Sequence, residues 1–465
     1  MKERVAAIGE WLEHRTGIIG GIQHFLYEEI PASSGWHQVF GSVALFLFMV
    51  QAFTGIMLAF NYAPTPGDSY DSLRYILTAL TAGPLMRGLH HWGASMIVVI
   101  VVLHMVQVFL YGAYKKPREA TWMVGVVLLL VTLAYGLTGY LLPWDNRAYW
   151  GTMVTTQIAA MSPGLGPYLT RLIGAADGVG VVTFARFYAV HVLILPPATI
   201  LLVALHVFLV RRHGVAPHPG DEAKPKKMFF PMQVFKDTVA IFIAFAILFT
   251  MAVAVHVPLE QMADPTNNSY IPRPEWYFLF LFQFLKMFNG PLEVVGAVVL
   301  PGVAVLALLL VPFIDRGAMV KVTKRTFAFA VVVLAALGWS SLTMAAIKST
   351  PPQEAAVDFS YNTDWMTLTP DKLAASKSPD TPSFVVQGAT VYQANHCGVC
   401  HAVNGMGGKL GPSLNGLSKR QTRSWVEQHF ADPQKLSPGT IMPPYKLSPG
   451  DMNNLTLYLF SLPDQ

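Results

Sequence analysis

Residues 87–104 read RGLHHWGASMIVVIVVLH, and residues 191–206 read HVLILPPATILLVALH. Each apolar stretch holds two histidines about four helical turns apart: His90 and His104 in the first, His191 and His206 in the second. That spacing puts both histidines of a stretch on roughly one face of a helix, about 21 Å apart. Titratable groups inside a membrane helix are costly, so they indicate a binding role. The pattern predicts two packed helices that hold two haem irons, each between facing imidazoles.

Glycines repeat the same interval on two other apolar stretches. Gly41 and Gly55 are 14 residues apart, and so are Gly125 and Gly139. Because glycine has no side chain, a flat macrocycle can approach the backbone there. The alternative is close packing of helices through small residues, which predicts a four-residue spacing instead. The shared interval favours two stacked haem levels.

The composition is that of a membrane protein. Of 465 residues, 53% are hydrophobic and 13% are charged, whereas soluble domains average about 25% charged. Seven apolar runs are long enough to cross a bilayer: residues 38–60, 91–112, 121–142, 187–210, 237–257, 293–313 and 326–346. Buried helices of a soluble protein are the alternative, which seven such runs disfavour. We predict an all-α membrane protein with seven transmembrane helices, including a dihaem four-helix bundle.

The placement of lysine and arginine predicts the orientation. With a cytoplasmic N-terminus, the cytoplasmic segments carry 16 basic residues and the opposite short loops carry seven. The long C-terminal tail then lies outside, and the net charge of +5 reflects topology rather than nucleic-acid binding. Both histidine spans run inward, so His90 and His191 form an outer pair, and His104 and His206 form an inner pair. Residues 3–30 are amphipathic and predict a helix on the membrane surface.

Three further polar residues accompany the histidines. Arg87 and Arg118 lie near the two ends of the bundle and are candidates to pair with haem propionates. As single arginines at span edges, they are equally explained as interface anchors. His91 follows His90 directly but points about 100° away round the helix. It is therefore not expected to share the ligand direction.

The C-terminal part contains Cys397-Gly398-Val399-Cys400-His401, the haem c attachment pattern. The two thiols bond the porphyrin, and the histidine binds the iron. A zinc or redox Cys-x-x-Cys site is the alternative, but it needs further ligands or a different fold. The chain has no other cysteine, which excludes a disulfide framework. Because haem c is attached outside the cytoplasm, the motif agrees with the charge count.

We divide the chain into four parts. Residues 1–213 form the dihaem four-helix domain, and residues 214–347 form a three-helix domain. Residues 348–384 form a linker, and residues 385–465 form a small all-α soluble domain. The linker is rich in proline and is predicted to be extended, which suits a tethered domain that must meet two partners.

The membrane part resembles cytochrome b of the quinol-oxidising cytochrome bc complexes, over residues 1–347. The stretches that carry the resemblance are RGLHHWGAS (87–95), KKPREATWMVGVVLLLVTLAYGLTGYLLPWD (115–145), RFYAVHVLILP (186–196) and ADPTNNSYIPRPEWYF (263–278). Seven spans and a 15-residue interval between His191 and His206 are similar to the chloroplast-type branch, where the two halves are separate chains; the mitochondrial type has 14. That branch holds a further haem through a cysteine where this chain has Val39, so no covalent third haem is expected in the membrane part.

The resemblance implies two quinone sites. Pro274-Glu275-Trp276-Tyr277 marks the outer quinol-oxidation site in this family, and GYLLPWD (139–145) resembles its other wall. Oxidising a quinol releases two protons, and a partly buried Glu275 can accept one. The alternative for the Trp and Tyr is an interfacial belt. Arg211 and Asp237 fall where the family has polar groups near an inner quinone site, or they are a topological anchor and a helix-start charge.

The C-terminal domain resembles small class I cytochromes c. Gly411-Pro412 fits that family, and Thr440-Ile441-Met442-Pro443-Pro444-Tyr445 resembles its Met-Pro ligand loop. The resemblance implies Met442 as the second axial ligand opposite His401. We therefore predict two non-covalent haem b groups and one covalent haem c.

The sequence predicts a subunit of a quinol:cytochrome c oxidoreductase that works by a Q cycle. Apart from the two cysteines of the haem-attachment motif, the chain has no cysteine to hold an iron–sulfur cluster, so a separate Rieske protein is implied. Other expected partners are membrane lipid, quinone, a c-type cytochrome or terminal oxidase, and a second copy of the complex. The expected location is a bacterial inner membrane. The alternatives are a non-bifurcating dihaem anchor that relays electrons between quinone and the c domain, and a structural or assembly subunit.

Overall fold

A computed structural model describes residues 2–221, 223–265, 267, 270–350, 364–376, 381 and 383–463. Within these residues, seven helices are long and apolar enough to cross a membrane: Trp36–Ala59, Gly83–Tyr111, Glu119–Tyr140, Val181–His213, Met232–Ala254, Gly290–Ile314 and Thr326–Ser349. We call them the first to seventh spans. The predicted all-α fold with seven transmembrane helices is confirmed. The second span starts earlier than predicted, at Gly83, with Pro84 in its first turn, where a missing N–H costs nothing.

The spans bury one side and expose large apolar side chains on the other. Leu201, Phe242 and Phe327 are exposed by 71%, 72% and 80%, respectively. In water this would be unfavourable, but side chains of this kind are favourable against lipid. The first and second spans pack closely around Val43, Leu47 and neighbours of the fifth span. The third and fourth spans form a second closely packed pair.

The fourth span contains a π-helical turn, Val190–Ile194. Pro196 and Pro197 follow it and have no N–H to complete α-helical bonds back into that turn. A π turn takes up one residue more than an α turn. The 15-residue interval from His191 to His206 therefore gives nearly the same rotation as the 14-residue interval in the second span.

The remaining elements lie at the two ends of the bundle. We call the end that carries residues 255–278 the PEWY face, and the opposite end, with residues 112–118 and 211–236, the basic face. The helices at the PEWY face are Ser69–Thr78, Asn146–Ala160, Gly166–Ile173 and Leu279–Leu285. The basic face carries Lys2–Thr16, Ile18–Leu26 and a short antiparallel pair, Glu29–Ile30 with Lys227–Met228. Ile8 and Trp11 of the first of these helices are more than half exposed, as expected for a surface-lying helix.

The small C-terminal domain is built around two crossing helices, Ser383–Ala394 and Pro449–Phe460. A β-carbon added at Gly388 would lie 2.3 Å from the carbonyl oxygen of Asn454, so only glycine permits this close crossing. Phe384 and Tyr458 are fully buried beside it. Shorter helices complete the domain: Leu417–Arg420, Arg423–Ala431 and Pro433–Leu436, with a small hairpin, Ala402–Val403 and Met406–Gly407.

The described part of the predicted linker is not extended. Residues 364–376 form a turn, Asp364–Thr367, and a short helix, Pro370–Ala374, that packs on helix 383–394. Leu373 is fully buried, and the Asn404 side chain donates to the carbonyls of Met366 and Leu368. These contacts hold the segment against the C-terminal domain. The other linker prolines, Pro351, Pro352, Pro379 and Pro382, lie outside the described residues.

Candidate functional site

The four span histidines meet in the two predicted pairs. The ring centres of His90 and His191 are 6.4 Å apart with their planes at 72°, and those of His104 and His206 are 6.5 Å apart at 78°. A histidine nitrogen binds a metal at about 2.0 Å. The separation between ring centres equals two such bonds, one from each imidazole, plus the distance from each ring centre to the nitrogen that binds. Each pair can therefore hold one metal atom as axial ligands.

Threonine hydroxyls fix the rings of the pair nearer the PEWY face. Thr54 Oγ1 lies 3.0 Å from His90 Nδ1, and Thr138 Oγ1 lies 2.9 Å from His191 Nδ1. Each hydroxyl donates its own hydrogen to a carbonyl one helical turn earlier, so it accepts from the ring N–H. The Nε2 lone pair of each histidine is then free to bind metal. The Nδ1 atom of His104, in the other pair, is buried and has no hydrogen-bond partner among the described residues.

The four glycines lie directly against the histidine rings. A β-carbon added at Gly139 would lie 2.7 Å from Cε1 of His191, and the corresponding distances run from 3.2 to 3.5 Å at the other three positions: Gly55 to His90, Gly125 to His206 and Gly41 to His104. The sequence interpretation was close approach of a macrocycle to the backbone. In the structure the glycines make room for the imidazoles themselves, one glycine for each ring.

Glu275 lies in a buried site at the PEWY face. Its carboxylate forms an ion pair with Arg147, with 3.3 Å between Oε1 and Nη2. Burial raises the pKa of Glu275, and the nearby Arg147 charge opposes the rise. Arg147 also contacts the ring of Tyr140 and donates to the carbonyl of Arg273. Arg147 was not among the sequence candidates, because nothing in its local sequence links it to Glu275.

The other members of the Pro274–Tyr277 motif anchor it to two spans. Trp276 Nε1 donates to Ser95 Oγ on the second span at 3.2 Å. Tyr277 lies against the third span, where a β-carbon at Gly136 would be 2.6 Å from its hydroxyl. Burial raises the pKa of Tyr277, so it stays protonated at neutral pH.

The PWD sequence lies beside the loop that leads to Glu275, where the Tyr140 hydroxyl donates to the carbonyl of Arg273 at 2.8 Å. Trp144 adopts a left-handed conformation with φ of 52°, held between the rings of Tyr149 and Phe184. Asp145 caps the following helix by accepting from Ala148 N, and it also accepts from Glu260 N. This carboxylate ties the third span to the loop that leads to Glu275. The predicted second wall is therefore next to the motif.

The two predicted inner-site residues, Asp237 and Arg211, contact different partners. Asp237 accepts from Ser42 Oγ at 3.1 Å and from Gln233 Nε2 at 3.0 Å. Ser42 follows Gly41, which contacts His104, so Asp237 is close to that histidine pair. Arg211 instead forms an ion pair with Glu28, at the end of the N-terminal helices.

The two candidate propionate partners donate to backbone carbonyls. Arg87 is buried and bonds to the carbonyls of Val257 and Pro258. Arg118 bonds to the carbonyls of His213 and Gly214, at the end of the fourth span. A cation there is favourable, because the last carbonyls of a helix are partly negative. In the structure both arginines join loops to spans.

In the C-terminal domain, His401 is oriented by its own loop. Its Nδ1 lies 2.8 Å from the carbonyl of Pro412 and donates to it, which leaves Nε2 for a metal. A β-carbon at Gly411 would be 2.3 Å from the same ring, so sterics require glycine at this position. Burial raises the pKa of the Cys397 thiol to about 11. Met442 is half-buried and packs against the core of the domain.

Comparisons with known proteins assign a family to the chain. The cytochrome bc complex cytochrome b subunit of Chlorobaculum thiosulfatiphilum is 36% identical over 340 residues, which cover 71% of this chain and 79% of that protein. The chain belongs to the cytochrome b family. The family models for cytochrome b/b6/petB and cytochrome b(C-terminal)/b6/petD match residues 29–214 and 262–366 of this cytochrome b. The cytochrome c model matches residues 385–463.

Other relatives agree with this assignment. Cytochrome b6 of Synechococcus sp. (strain JA-3-3Ab) is 35% identical over 212 residues, covering 46% of this chain and 99% of that protein. The menaquinol:cytochrome c reductase cytochrome b subunit of Geobacillus thermodenitrificans is 38% identical over 215 residues, covering 44% of this chain and 96% of that protein. A solved structure titled hyperthermophilic respiratory Complex III matches with a TM-score of 0.66 and 30% identity, covering 74% of this chain and 92% of that one.

The residues of this cytochrome b fit the haem groups of its two families. Haem b and haem c binding follow from family membership. The paired imidazoles leave room for an iron, and His401 presents a free Nε2 beside two unpaired thiols, Cys397 and Cys400. Thr54 and Thr138 were missed by the sequence interpretation. Their signal is a repeated Thr-Gly dipeptide at 54–55 and 138–139, where the other histidine level has Phe40-Gly41 and Val124-Gly125.

Replacing Thr54 with valine is expected to raise the midpoint potential of the b haem that His90 is predicted to hold. A hydrogen bond from Nδ1–H makes the imidazole a stronger donor and favours ferric iron. Loss of a bond worth about 0.5–1.5 kcal/mol corresponds to about 20–60 mV for one electron. Redox titration measures the shift, and Thr132→Val, whose hydroxyl bonds only to its own helix, is the matched control. An unchanged potential would contradict the assigned hydrogen bond.

Proposed function

We propose that this chain is the cytochrome b and cytochrome c subunit of a quinol:cytochrome c oxidoreductase, an enzyme complex of the respiratory chain. Three kinds of support converge. The family models cover both halves of cytochrome b and a cytochrome c domain. A relative is named menaquinol:cytochrome c reductase cytochrome b subunit. The buried Glu275–Arg147 pair supplies a proton acceptor of the kind that quinol oxidation needs.

The observation that carries the proposal is the shared wall of the third span. Gly136 contacts the Tyr277 hydroxyl, and Gly139, one turn further along, contacts the His191 ring. The motif proposed to bind quinol and the pair proposed to hold a haem are therefore adjacent.

Glu275 is proposed to accept a proton from quinol bound between the Pro274–Tyr277 motif and the PWD wall. Trp276 and Tyr277 fix the motif on two spans, and Pro274 restricts the backbone before the carboxylate. The Arg147 charge favours the ionised carboxylate and so opposes the rise in the pKa of Glu275 that burial causes. The outward release of this proton follows if the PEWY face is the outer face.

The charge count supports that orientation: N-terminus cytoplasmic, PEWY face and c domain outside. When bound, two haem b groups and one covalent haem c would supply the one-electron steps across the membrane and outward. His90 and His191 would hold the outer b haem, and His104 and His206 the inner one. Cys397 and Cys400 would attach the c haem, with His401 and Met442 as its axial ligands.

The inner quinone site is proposed near Asp237. Ser42 and Gln233 hold this carboxylate close to the His104–His206 pair, where reduction of a quinone consumes two protons. Arg211 lies at the same face, where it pairs with Glu28, and is proposed to line the entrance to this site.

The proposed complex has further members. A Rieske iron–sulfur protein takes one electron of each quinol, while the other crosses the membrane in a Q cycle. A c-type cytochrome or terminal oxidase receives electrons from the c domain. We also propose the four-part division at residues 213, 347 and 384, a homodimeric complex, and a bacterial inner membrane.

An oxidant pulse tests the proposal against the non-bifurcating alternative. With quinol present and inner-site turnover slowed, oxidising the c haem is expected to cause transient reduction of the b haems, because the two electrons of quinol separate. A simple relay would show oxidation of the b haems instead. Haem content provides the check against a structural subunit: pyridine haemochrome is expected to give two b haems per c haem, whereas no b haem would refute the proposal.

Replacing Arg147 with glutamine is expected to move the acid limb of quinol oxidation to higher pH. Glu275 must be ionised to accept a proton, so activity is lost as pH falls through its pKa. Burial already raises this pKa, and removing the Arg147 charge raises it further. Rates measured across pH should converge at alkaline pH, where both enzymes carry an ionised Glu275. Arg147→Lys keeps the charge and serves as control; an unmoved limb in Arg147→Gln would contradict the role of the ion pair.

A further inference from the structure

Helix Ser69–Thr78, between the first and second spans, contacts the cytochrome c domain at the PEWY face. Its inner side buries Tyr70 and Ile76, and the Tyr70 hydroxyl donates to the carbonyl of Glu260 at 2.8 Å. The helix is therefore fixed to the membrane domain. The residues on its other side, Asp71 and Arg74, reach the c domain.

Arg74 caps the last helix of the c domain. Its guanidinium donates to the carbonyls of Leu457 and Phe460, at 3.5 and 3.4 Å, and lies 6.0 Å above the Phe460 ring. The final carbonyls of a helix have no partner within the helix, and a cation there is favoured. An arginine of one domain thus donates to the terminal Phe460 carbonyl of the other, beside the Leu457 carbonyl that Ser461 N already bonds.

Asp71 faces Arg423 of the c domain. The distance from Asp71 Oδ2 to Arg423 Nη1 is 3.7 Å, and the two side chains are exposed by only 18% and 8%. Arg423 is held in position by Glu427 and Asn453 within its own domain. Opposite charges screened this little from water interact more strongly than an exposed pair.

The haem-attachment side of the c domain points away from this interface. Val399 lies within the attachment motif, Leu410 precedes Gly411, and Ile441 precedes Met442. Among the described residues, the contacts with helix 69–78 come instead from Arg423, Leu457 and Phe460. A partner can therefore reach the attachment side without any movement of the domain.

We propose that helix 69–78 is a docking surface for the chain's own cytochrome c domain, and that the domain works in this docked position. This differs from the tethered shuttle expected from the proline-rich linker. Residues 364–376, packed on the c domain, already shorten the segment that could move. The docked domain presents its attachment side to separate electron-transfer partners. This last step rests on the proposed function, whereas the docking itself does not.

A disulfide between the domains tests docking directly. A β-carbon at Gly450 would lie 3.6 Å from Asp264 Oδ2, so Asp264→Cys and Gly450→Cys place two thiols on facing segments of the two domains, where a disulfide can form. Cys397 and Cys400 are bonded to haem in the proposed holoprotein, so the new thiols are the reactive ones. In the purified membrane complex, mild oxidation is expected to remove both free thiols of the double variant and leave the single thiol of each single variant. A double variant whose thiols persist overturns the docking.

Turnover of the locked double variant tests the working position. Quinol:cytochrome c activity is expected to stay within about twofold of the unoxidised sample. A tenfold loss that reduction of the disulfide restores would show that the domain must leave the surface, and would overturn the proposal. If neither sample oxidises quinol, the proposed function fails while the thiol result still decides docking.

Charge variants test whether the Asp71–Arg423 ion pair holds the c domain on helix 69–78. Asp71→Arg and Arg423→Asp are each expected to slow closure of the disulfide at least fivefold, and the double exchange should restore it. Asp68→Asn, an exposed acidic position at the start of the same helix, is the matched control and should leave closure unchanged. Equal rates of disulfide formation in all variants would show that the Asp71–Arg423 pair does not hold the domain in place, and would overturn that part of the proposal.

Discussion

Replacing His104 with alanine is expected to remove one of two b haems while the c haem remains. His206 faces His104 at 6.5 Å between ring centres, and without the second imidazole the iron loses one of its two axial ligands. The other pair should be unaffected, because Thr54 and Thr138 hold its rings independently. The ratio of b to c haem by pyridine haemochrome should fall from two to one, with the covalent c haem as an internal measure of the amount of chain.

His91→Ala is the matched control for this change. His91 points about 100° away from His90 round the same helix. Its ring contacts Trp92 edge to face and does not face a histidine of the fourth span. Its loss should leave the ratio at two. Two b haems retained in His104→Ala would sink the assignment of this pair. In the variant, a quinol and oxidant pulse should still reduce the remaining b haem, whereas reduction of quinone at the basic face should be lost.

Replacing Glu275 with glutamine is expected to lower the rate of quinol oxidation by about 10²-fold or more, the usual contribution of a positioned proton acceptor. Glutamine keeps the size and hydrogen-bonding shape of the side chain but cannot accept the proton. Arg147 then loses its anionic partner, so the local charge changes as well. The rate is measured as b haem reduction by quinol in a single turnover, which isolates this step from later electron transfer.

Two comparisons make the Glu275 result specific. Glu293→Gln changes an exposed carboxylate beyond the motif and should leave the rate unchanged. Glu275→Asp keeps a carboxylate but retracts it from Arg147, so it should retain more activity than glutamine. A Glu275→Gln enzyme with full haem content and an unaltered rate would mean that another group accepts the proton.

The features that could be predicted from the sequence were those set by the length of a helix or by the spacing of residues along it. Seven spans follow from the number of residues needed to cross a bilayer, and the structure confirms them. The histidine pairing follows from helical rotation, because a group every four turns returns to one face. These are properties of a single helix, so they need no knowledge of the tertiary structure.

Contacts between distant segments were the ones that sequence reasoning missed. Arg147 had been counted only as a basic loop residue, yet it is the counter-ion of Glu275. Asp71 and Arg423 belong to different domains, and their pairing depends on how those domains pack. The prediction of an extended linker was wrong for residues 364–376 for a similar reason: prolines predict an extended chain, but Leu373 packs on an apolar surface of the c domain and is buried there.

Some missed features did have a local signal. Threonine precedes glycine at 54–55 and 138–139, at one histidine level only. A hydroxyl one residue before the glycine that accommodates a ring is well placed to accept from that ring. The glycines occur at both histidine pairs, so comparing the glycines alone does not reveal the threonines. The Thr-Gly dipeptide occurs at only one of the two pairs and distinguishes it from the other.

The π turn at Val190–Ile194 lets the fourth span lose one residue without a change in the direction of its histidines. A residue added to an α-helix rotates everything beyond it by about 100°, which would turn one histidine away from its partner. Here the extra residue is confined to one widened turn, so the helix on either side keeps its register. Intervals of 14 and of 15 residues between these histidines can thus give the same haem arrangement. Removing a single residue within this turn is the change in length that leaves both histidines in place.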